Sequence, residues 1–330
     1  MTIKVGINGF GRIGRNVLRA LVESGRDDIE VVAINDLAPP ETNAHLFEFD
    51  SVHGRFGHEV TVADGMDVGR GPIRMTSLRT PEDLPWGDVD IALECTGIFR
   101  SDAEAGRHLK NGSRKVLISA PGKGDMKTIV YGVNHDLLTA DDVVVSNASC
   151  TTNCLAPLAD ALHRAFGIKR GYMTTVHSYT GDQPVHDTAH SDLYRARAAA
   201  LSMIPTTTGA ASALGLVLPD LAGRIAGTAI RVPTPNVSCV DLVVEVERAT
   251  TPEDVNAALT EAAKGMEGVM GVTARKLVST DLNHDAHSGV VALDQTAVQD
   301  GTMVRVLSWY DNEWGFSNRM LDTAAAMARA

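Results

Sequence analysis

The apolar positions of the first half of the chain fall into short runs separated by amphipathic stretches. Residues 3–8 (IKVGIN) predict a buried strand, and Arg12 to Ser24 predict a helix with Ile13, Val17, Leu21 and Val22 on one face. Residues 29–35 (IEVVAIN) predict a second strand, which makes a βαβ unit with parallel strands and a right-handed crossover. Further runs at 59–63, 72–76, 89–95, 115–119, 128–132 and 143–147, with a helical pattern at about 101–111, predict an open, largely parallel sheet.

After about Cys150 the pattern changes. A helix at roughly 150–166 leads to longer runs at 169–178, 225–232, 237–247, 289–299 and 302–310, and a last helix is expected at about 315–329. Long alternating runs with few helices between them predict a mainly antiparallel sheet. Residues 179–200 show no period and are expected to form a long ordered loop, a length usually reserved for function.

Composition narrows the function classes. With 330 residues the chain has room for about two domains. Its 44% hydrophobic and 22% charged residues exclude a mostly disordered chain. Thirty Lys and Arg against 41 Asp and Glu give a formal net charge of −11, which argues against nucleic-acid or anionic-membrane partners but leaves room for a local basic pocket. Four cysteines, none in a CxxC pair, suggest neither a disulfide framework nor a structural metal. Residues 198–219 carry no charge, but Pro205, Gly209 and several Ser and Thr make them too polar to span a bilayer. No signal peptide precedes the first strand, so the expected compartment is the cytoplasm.

Two constellations carry chemistry. Gly9, Gly11 and Gly14 stand in G-x-G-x-x-G spacing between a predicted strand and a predicted helix, where backbone N–H groups and the helix dipole favour a pyrophosphate. Asp36, 22 residues past Gly14, stands where an acid would accept hydrogen bonds from ribose hydroxyls. The alternative is a glycine turn with a capping aspartate. Cys150, in SNASCTTNC, opens a helix whose N-terminus is expected to lower the thiol pKa. His177 ends a strand-like run and is a candidate base for it, expected to form a thiolate–imidazolium pair. Cys95, Cys154 and Cys239 read instead as small buried hydrophobes.

Taken together, SNASCTTNC, HSYTGDQ, TTTGAA, RVPTPNVS and SWYDNEWGFSNRM resemble the phosphorylating glyceraldehyde-3-phosphate dehydrogenases, over essentially the whole chain. The resemblance implies a Rossmann-type NAD-binding domain at 1–149, completed by a C-terminal helix at about 313–330, and an α+β catalytic domain at 150–312. It implies NAD contacts from Gly9, Gly11, Arg12, Ile13, Gly14, Asp36, Arg79, Ser119 and Asn312, with Cys150 as nucleophile and His177 as base. It further implies a sugar-phosphate site at Thr180 and Arg231, and an inorganic-phosphate site at Ser149, Thr151, Arg195, Thr208 and Gly209. Arginine suits both because its planar fork grips phosphate bidentately. The implied reaction converts glyceraldehyde 3-phosphate and inorganic phosphate to an acyl phosphate, in a homotetramer; erythrose-4-phosphate dehydrogenase is the alternative. Tyr194, Ser212, Thr188 with Ala189, and Phe316 depart from the common family pattern, and the Thr188–Ala189 pair bears on the strictness of NAD over NADP.

Overall fold

The computed structural model describes residues 2–330, which divide into two compact units: the chain through Ser149 together with Ser317–Ala330, and Cys150–Phe316. The first unit is built on a sheet in which Val144–Ser146, Lys115–Ile118, Ile91–Glu94, Ile3–Asn8, Ile29–Asn35 and Pro72–Thr76 lie side by side in that order. All five of these pairings are parallel. Met66–Asp67 and Thr61–Val62 then extend the edge in antiparallel fashion. The central strands are buried on both faces, which is why they read as unbroken apolar runs rather than as alternation. The chain first builds outward from Ile3–Asn8 to one side and later returns to its other side. The crevice beyond the carboxyl ends of Ile3–Asn8, Ile29–Asn35 and Ile91–Glu94 is thus a topological switch point.

Those three strands end on polar residues that lock together. Asn8 is paired in register with both Asn35 and Glu94. Its Nδ2 donates to Glu94 Oε2 at 2.6 Å, and its Oδ1 accepts from Asn35 Nδ2 at 2.8 Å. Glu94 also meets His108 Nε2 at 3.0 Å and accepts from the Thr96 backbone N–H at 2.9 Å. The side chains of Asn8, Asn35, Glu94 and His108 are all buried, and His108 stacks on Trp86. Buried polar groups are tolerated only when paired, so this rung fixes the level of the strand ends beneath the glycine turn.

The second unit has a seven-strand path ordered Ile204–Thr206, Ile225–Val232, Ile168–Ser178, Ser238–Val246, Met303–Tyr310, Gly289–Ala292 and Met270–Thr273, with Ala297–Gln299 also pairing Met303–Tyr310. It is mainly antiparallel; Ile168–Ser178 with Ile225–Val232, and Met270–Thr273 with Gly289–Ala292, are the parallel pairs. The helix Cys150–Phe166 runs through Pro157 and is buried from Thr151 to Leu162.

Several expectations change. The 128–132 run is not a strand: it makes one bridge, Thr128 to Ser146, because Asn134 takes its backbone groups, accepting from Val130 N and donating to Thr128 O. The 101–111 helix is one α-turn, Asp102–Ala105, followed by a 3-10 segment, Gly106–Asn111. The 289–299 run is broken by the 3-10 turn Leu293–Gln295. Three helices were not anticipated: Pro40–Glu48, Ala210–Val217 and Pro252–Lys264. Residues 198–219 form a short strand and helical pieces, and among the described residues no helix is long and apolar enough to cross a membrane.

Arg12, at the start of the first helix, forks onto the buried carboxyl of Asp50. Burial alone would raise the Asp50 pKa, but Arg12 and the backbone N–H groups of His53 and Val52 hold it down at about 2, against an ordinary 3.8. A lowered carboxyl stabilises the fold fully above its unfolded value and loses that contribution as pH falls through the folded value. The difference corresponds to about 2 kcal/mol. Asp50→Asn is therefore expected to unfold more easily in urea at pH 7 by about that amount. The gap should narrow from pH 4 toward pH 2; a gap independent of pH would contradict the assignment.

Candidate active site

In the first unit, Asn8, Gly9, Gly11, Asn35, Asp36, Leu78, Arg79, Cys95, Thr96, Ile98 and their neighbours line a cleft of about 330 Å³ at the switch point. The glycine turn is shaped by close approach. Gly9 has φ of +91°, and a Cβ there would sit 2.7 Å from Thr96 N. A Cβ on Gly14 would lie 2.2 Å from Gly9 O, so the first helix could not pack against the turn. Asp36 is aimed by two backbone donors, Phe10 N to Oδ2 at 2.8 Å and Ala38 N to Oδ1 at 2.9 Å. Each oxygen keeps acceptor capacity for a hydroxyl pair. These residues fit a dinucleotide. Arg12 commits its side chain to Asp50, and Ser119 hydrogen-bonds Cys95. Arg12, Ile13, Gly14 and Ser119 are not among the residues lining the cleft.

In the second unit, strand register assembles the reactive groups. The parallel pairing of Ile168–Ser178 with Ile225–Val232 sets His177 opposite Arg231. Arg231 Nη1 lies 2.7 Å from His177 Nδ1, which is also 2.7 Å from Ser178 O. The other ring nitrogen, Nε2, lies 3.6 Å from Cys150 Sγ at the start of its helix. Tyr310 meets His177 edge-on and bridges Thr151 and Thr175, each at 2.9 Å, so the helix start is tied to the sheet. Just before Cys150, Ala148 has φ of +58°, a left-handed conformation disfavoured for a residue with a Cβ.

Burial dominates the electrostatics. It pushes the Cys150 thiol up; nearby Arg231 and hydrogen bonding with Thr151 oppose this without reversing it. It also drives His177 down to about 3, with the Arg231 charge adding to the effect. The expectation of a lowered thiol is thus corrected. The two groups are in contact, but both are held toward their neutral forms, because desolvation outweighs the helix start. Cys95 and Cys154 are pushed up to about 12 and Cys239 to about 11, again chiefly by burial. Cys154 packs against Ser308 Oγ at 3.4 Å and faces no base.

Of the remaining residues singled out, Asn312 is buried, and its Oδ1 accepts from Ser178 Oγ at 2.9 Å and Ser238 Oγ at 2.8 Å. Two hydroxyl donors on Oδ1 fix the amide's orientation and leave its NH₂ as the donor edge. Thr180 turns back onto Gln183. Arg195 pairs with Asp182 and Asp192, and its charge also faces Arg231. Thr208 and Gly209 form the entry to the helix Ala210–Val217, and Thr151 is buried against Tyr310. Ser149 directly precedes Cys150, outside the helix. Tyr310, Ser178, Ser238 and the Asn8–Glu94–His108 rung had escaped sequence reading. Polar residues closing apolar runs were the only local signal for the rung.

Two family descriptions match the chain: "Glyceraldehyde 3-phosphate dehydrogenase, NAD binding domain" over residues 3–102 and "Glyceraldehyde 3-phosphate dehydrogenase, C-terminal domain" over residues 149–312. The chain is 68% identical to the glyceraldehyde-3-phosphate dehydrogenase of Cereibacter sphaeroides, covering all of this chain and 99% of the relative. It is 64% identical to that of Xanthobacter flavus, with 100% and 99% covered, and 55% identical to that of Geobacillus stearothermophilus, with 99% of each covered. With a glycine turn and aimed acid in one unit and a thiol–imidazole–guanidinium cluster in the other, the chain belongs to the glyceraldehyde-3-phosphate dehydrogenase family.

Proposed function

We propose that the chain converts D-glyceraldehyde 3-phosphate, inorganic phosphate and NAD to 1,3-bisphosphoglycerate and NADH. The observation that carries the reading is the cluster of Cys150, His177 and Arg231: a nucleophile, a base and an anion-binding cation within reach of one another. Cys150 passes its proton to His177 Nε2 and adds through Sγ to the aldehyde carbon, and that proton moves on to the carbonyl oxygen, so that a hemithioacetal forms and His177 is again a free base. His177 Nε2 takes the hydroxyl proton of that adduct and, with the Cys150 backbone N–H, stabilises its oxygen. NAD, when bound, supplies the hydride acceptor that makes the adduct a thioester. A thioester conserves the acyl-transfer potential, and attack by inorganic phosphate releases the acyl phosphate and restores the thiol.

Asp36, the glycine turn at Gly9, Gly11 and Gly14, and Arg79 would hold the adenosine and pyrophosphate portion, with Arg12, Ile13 and Ser119 completing the set. Asn312, with its NH₂ left as donor, suits a carboxamide oxygen. Arg231 and Thr180 would take the sugar phosphate. Ser149, Thr151, Arg195, Thr208 and Gly209 would take inorganic phosphate. The erythrose-4-phosphate alternative has no observation in its favour. Four free cysteines suit a reducing cytoplasm.

A homotetramer is part of the same proposal. Tyr172 and Val243 are direct neighbours across two strands, and Met303 follows on the next, each exposed by a third or more. Val243 faces Arg305 and Met303 faces Glu245 across the strands, and a sheet face of exposed apolar and charged residues together suits association with further copies of the chain. Sedimentation at assay concentration is expected to give a single species of four chains, and a monomer would contradict it.

The substrate and cofactor are tested together by assaying glyceraldehyde 3-phosphate and erythrose 4-phosphate, each with NAD and NADP. Glyceraldehyde 3-phosphate with NAD should be the best pair. A carboxylate opposed to a 2′-phosphate costs about 1–3 kcal/mol, or roughly ten- to a hundred-fold in favour of NAD. Asp36→Gly should narrow that ratio. Equal efficiency of wild type with both cofactors would contradict the role of Asp36 and direct attention to Thr188 and Ala189.

A further inference from the structure

Glu94 ends the strand Ile91–Glu94 as a carboxyl that is 1% exposed, and its four hydrogen-bond partners all donate. Oε2 accepts from Asn8 Nδ2 at 2.6 Å and meets His108 Nε2 at 3.0 Å; Oε1 accepts from Thr96 N at 2.9 Å and from Thr96 Oγ1. The tautomer of His108 follows from its other nitrogen. Nδ1 lies 3.4 Å from Asn111 Nδ2, which also donates to Pro81 O at 2.8 Å, while the oxygen of that amide accepts from Ser113 N and Oγ. Nδ1 thus keeps the lone pair, and Nε2 carries the proton that it donates to Glu94. With four donors and no acceptor around it, Glu94 is a carboxylate.

That charge sets the direction of hydrogen bonds in two parts of the dinucleotide cleft. It draws in Thr96 by both backbone and hydroxyl, and the hydroxyl accepts in turn from Ile98 N at 3.1 Å; Thr96 and Ile98 line the cleft. It also obliges Asn8 to present its NH₂, which leaves Asn8 Oδ1 to accept from Asn35 Nδ2 at 2.8 Å. Asn35 is oriented as a result. Its Nδ2 also donates to Leu78 O at 2.8 Å and its Oδ1 accepts from Leu78 N at 2.9 Å, and Leu78 and Arg79 line the same cleft. Reversing one amide along this line would set donor against donor or acceptor against acceptor in a buried place.

We propose that Glu94 is a positioning residue for the dinucleotide: its negative charge, relayed as hydrogen-bond direction through Asn8 and Asn35, places the backbone at Leu78 as well as the loop at Thr96. The inference rests on the dinucleotide reading of this cleft. Because direction is the determinant, an isosteric amide in place of the carboxylate should fail where an exchange of amide and carboxylate between the two strands succeeds. In Glu94→Gln an NH₂ faces either Asn8 and His108 or Thr96, donor against donor whichever way it turns. In Asn8→Asp two carboxylates meet where the pair now stands at 2.6 Å. In the double variant the new amide donates to the new carboxylate, whose second oxygen still accepts from Asn35, and the amide oxygen still accepts from Thr96. His108 Nε2, which lies 3.4 Å from Asn8 Nδ2, then donates to the carboxylate at position 8.

The test is calorimetric titration of NAD into the full-length chain freed of nucleotide, which reads the dissociation constant and the number of sites separately. Each single variant should bind NAD about tenfold more weakly with the number of sites kept, and the double should return to within about threefold of wild type. In turnover the loss should fall on the KM for NAD; a KM for phosphate that rises alongside it counts against the proposal. A single variant that binds within threefold of wild type would overturn it, including one with fewer sites of unchanged affinity, the mark of a residue that only holds the fold. A double that stays weaker than threefold overturns it as well. Should the single variants fail to fold, the double, which keeps every pair, decides by the same threshold, and its own failure to fold counts against the proposal. A wild-type chain that takes up no NAD overturns the reading of the cleft instead.

Discussion

Burying a thiol against an imidazole penalises both of the charged forms that covalent catalysis requires. At Cys150 and His177 desolvation raises one group and lowers the other, so proximity at 3.6 Å does not by itself make a nucleophile. The charge has to be arranged by neighbours. Here the neighbours are a guanidinium on the adjacent strand, a backbone carbonyl on the next residue and a phenol that ties helix to sheet. The arrangement depends on register: a slip of one residue in the pairing of Ile168–Ser178 with Ile225–Val232 would take Arg231 off His177 and turn its side chain to the other face.

The dinucleotide cleft depends on the same kind of constraint, met by different means. Its floor is the buried rung of Asn35, Asn8, Glu94 and His108, which holds three parallel strand ends level, and the glycine turn rides on that rung. The close contact of Gly9 with Thr96 then follows from Thr96 being held to Glu94. Asp36 is aimed from the turn itself, through Phe10 N. Polar groups placed at the ends of otherwise apolar strands thus position the ligand-binding backbone without touching the ligand.

Much of this is legible in the residues where the determinant is local. The strands Ile3–Asn8, Ile29–Asn35, Pro72–Thr76 and Ile225–Val232 and the helix Cys150–Phe166 follow from apolar runs and helical spacing and have the expected bounds. The 128–132 run misleads because apolarity makes a segment buried without making it paired, and Asn134 takes the place of a neighbouring strand. The helix Pro252–Lys264 carries its own start signals, a Thr251 cap, a proline and two acids, but these were lost beside the longer alternating runs on either side. Cys150 and His177 stand out by context. Arg231 does not, because its role arises from a pairing across 54 residues that no local pattern encodes. Nor does the sign of the pKa shifts, which burial decides and the sequence leaves open.

The chemistry assigned to Cys150 has one direct product: an acyl group on its sulfur. The chain is mixed with glyceraldehyde 3-phosphate and NAD in the absence of inorganic phosphate, quenched in acid and digested, and the peptides are weighed. The peptide containing Cys150 should carry the thioester, lose it when phosphate is added before the quench, and carry it equally in Cys154→Ser. NADH formed in a burst with an unmodified Cys150 peptide, or an acyl group found on Cys154 instead, would contradict the assignment.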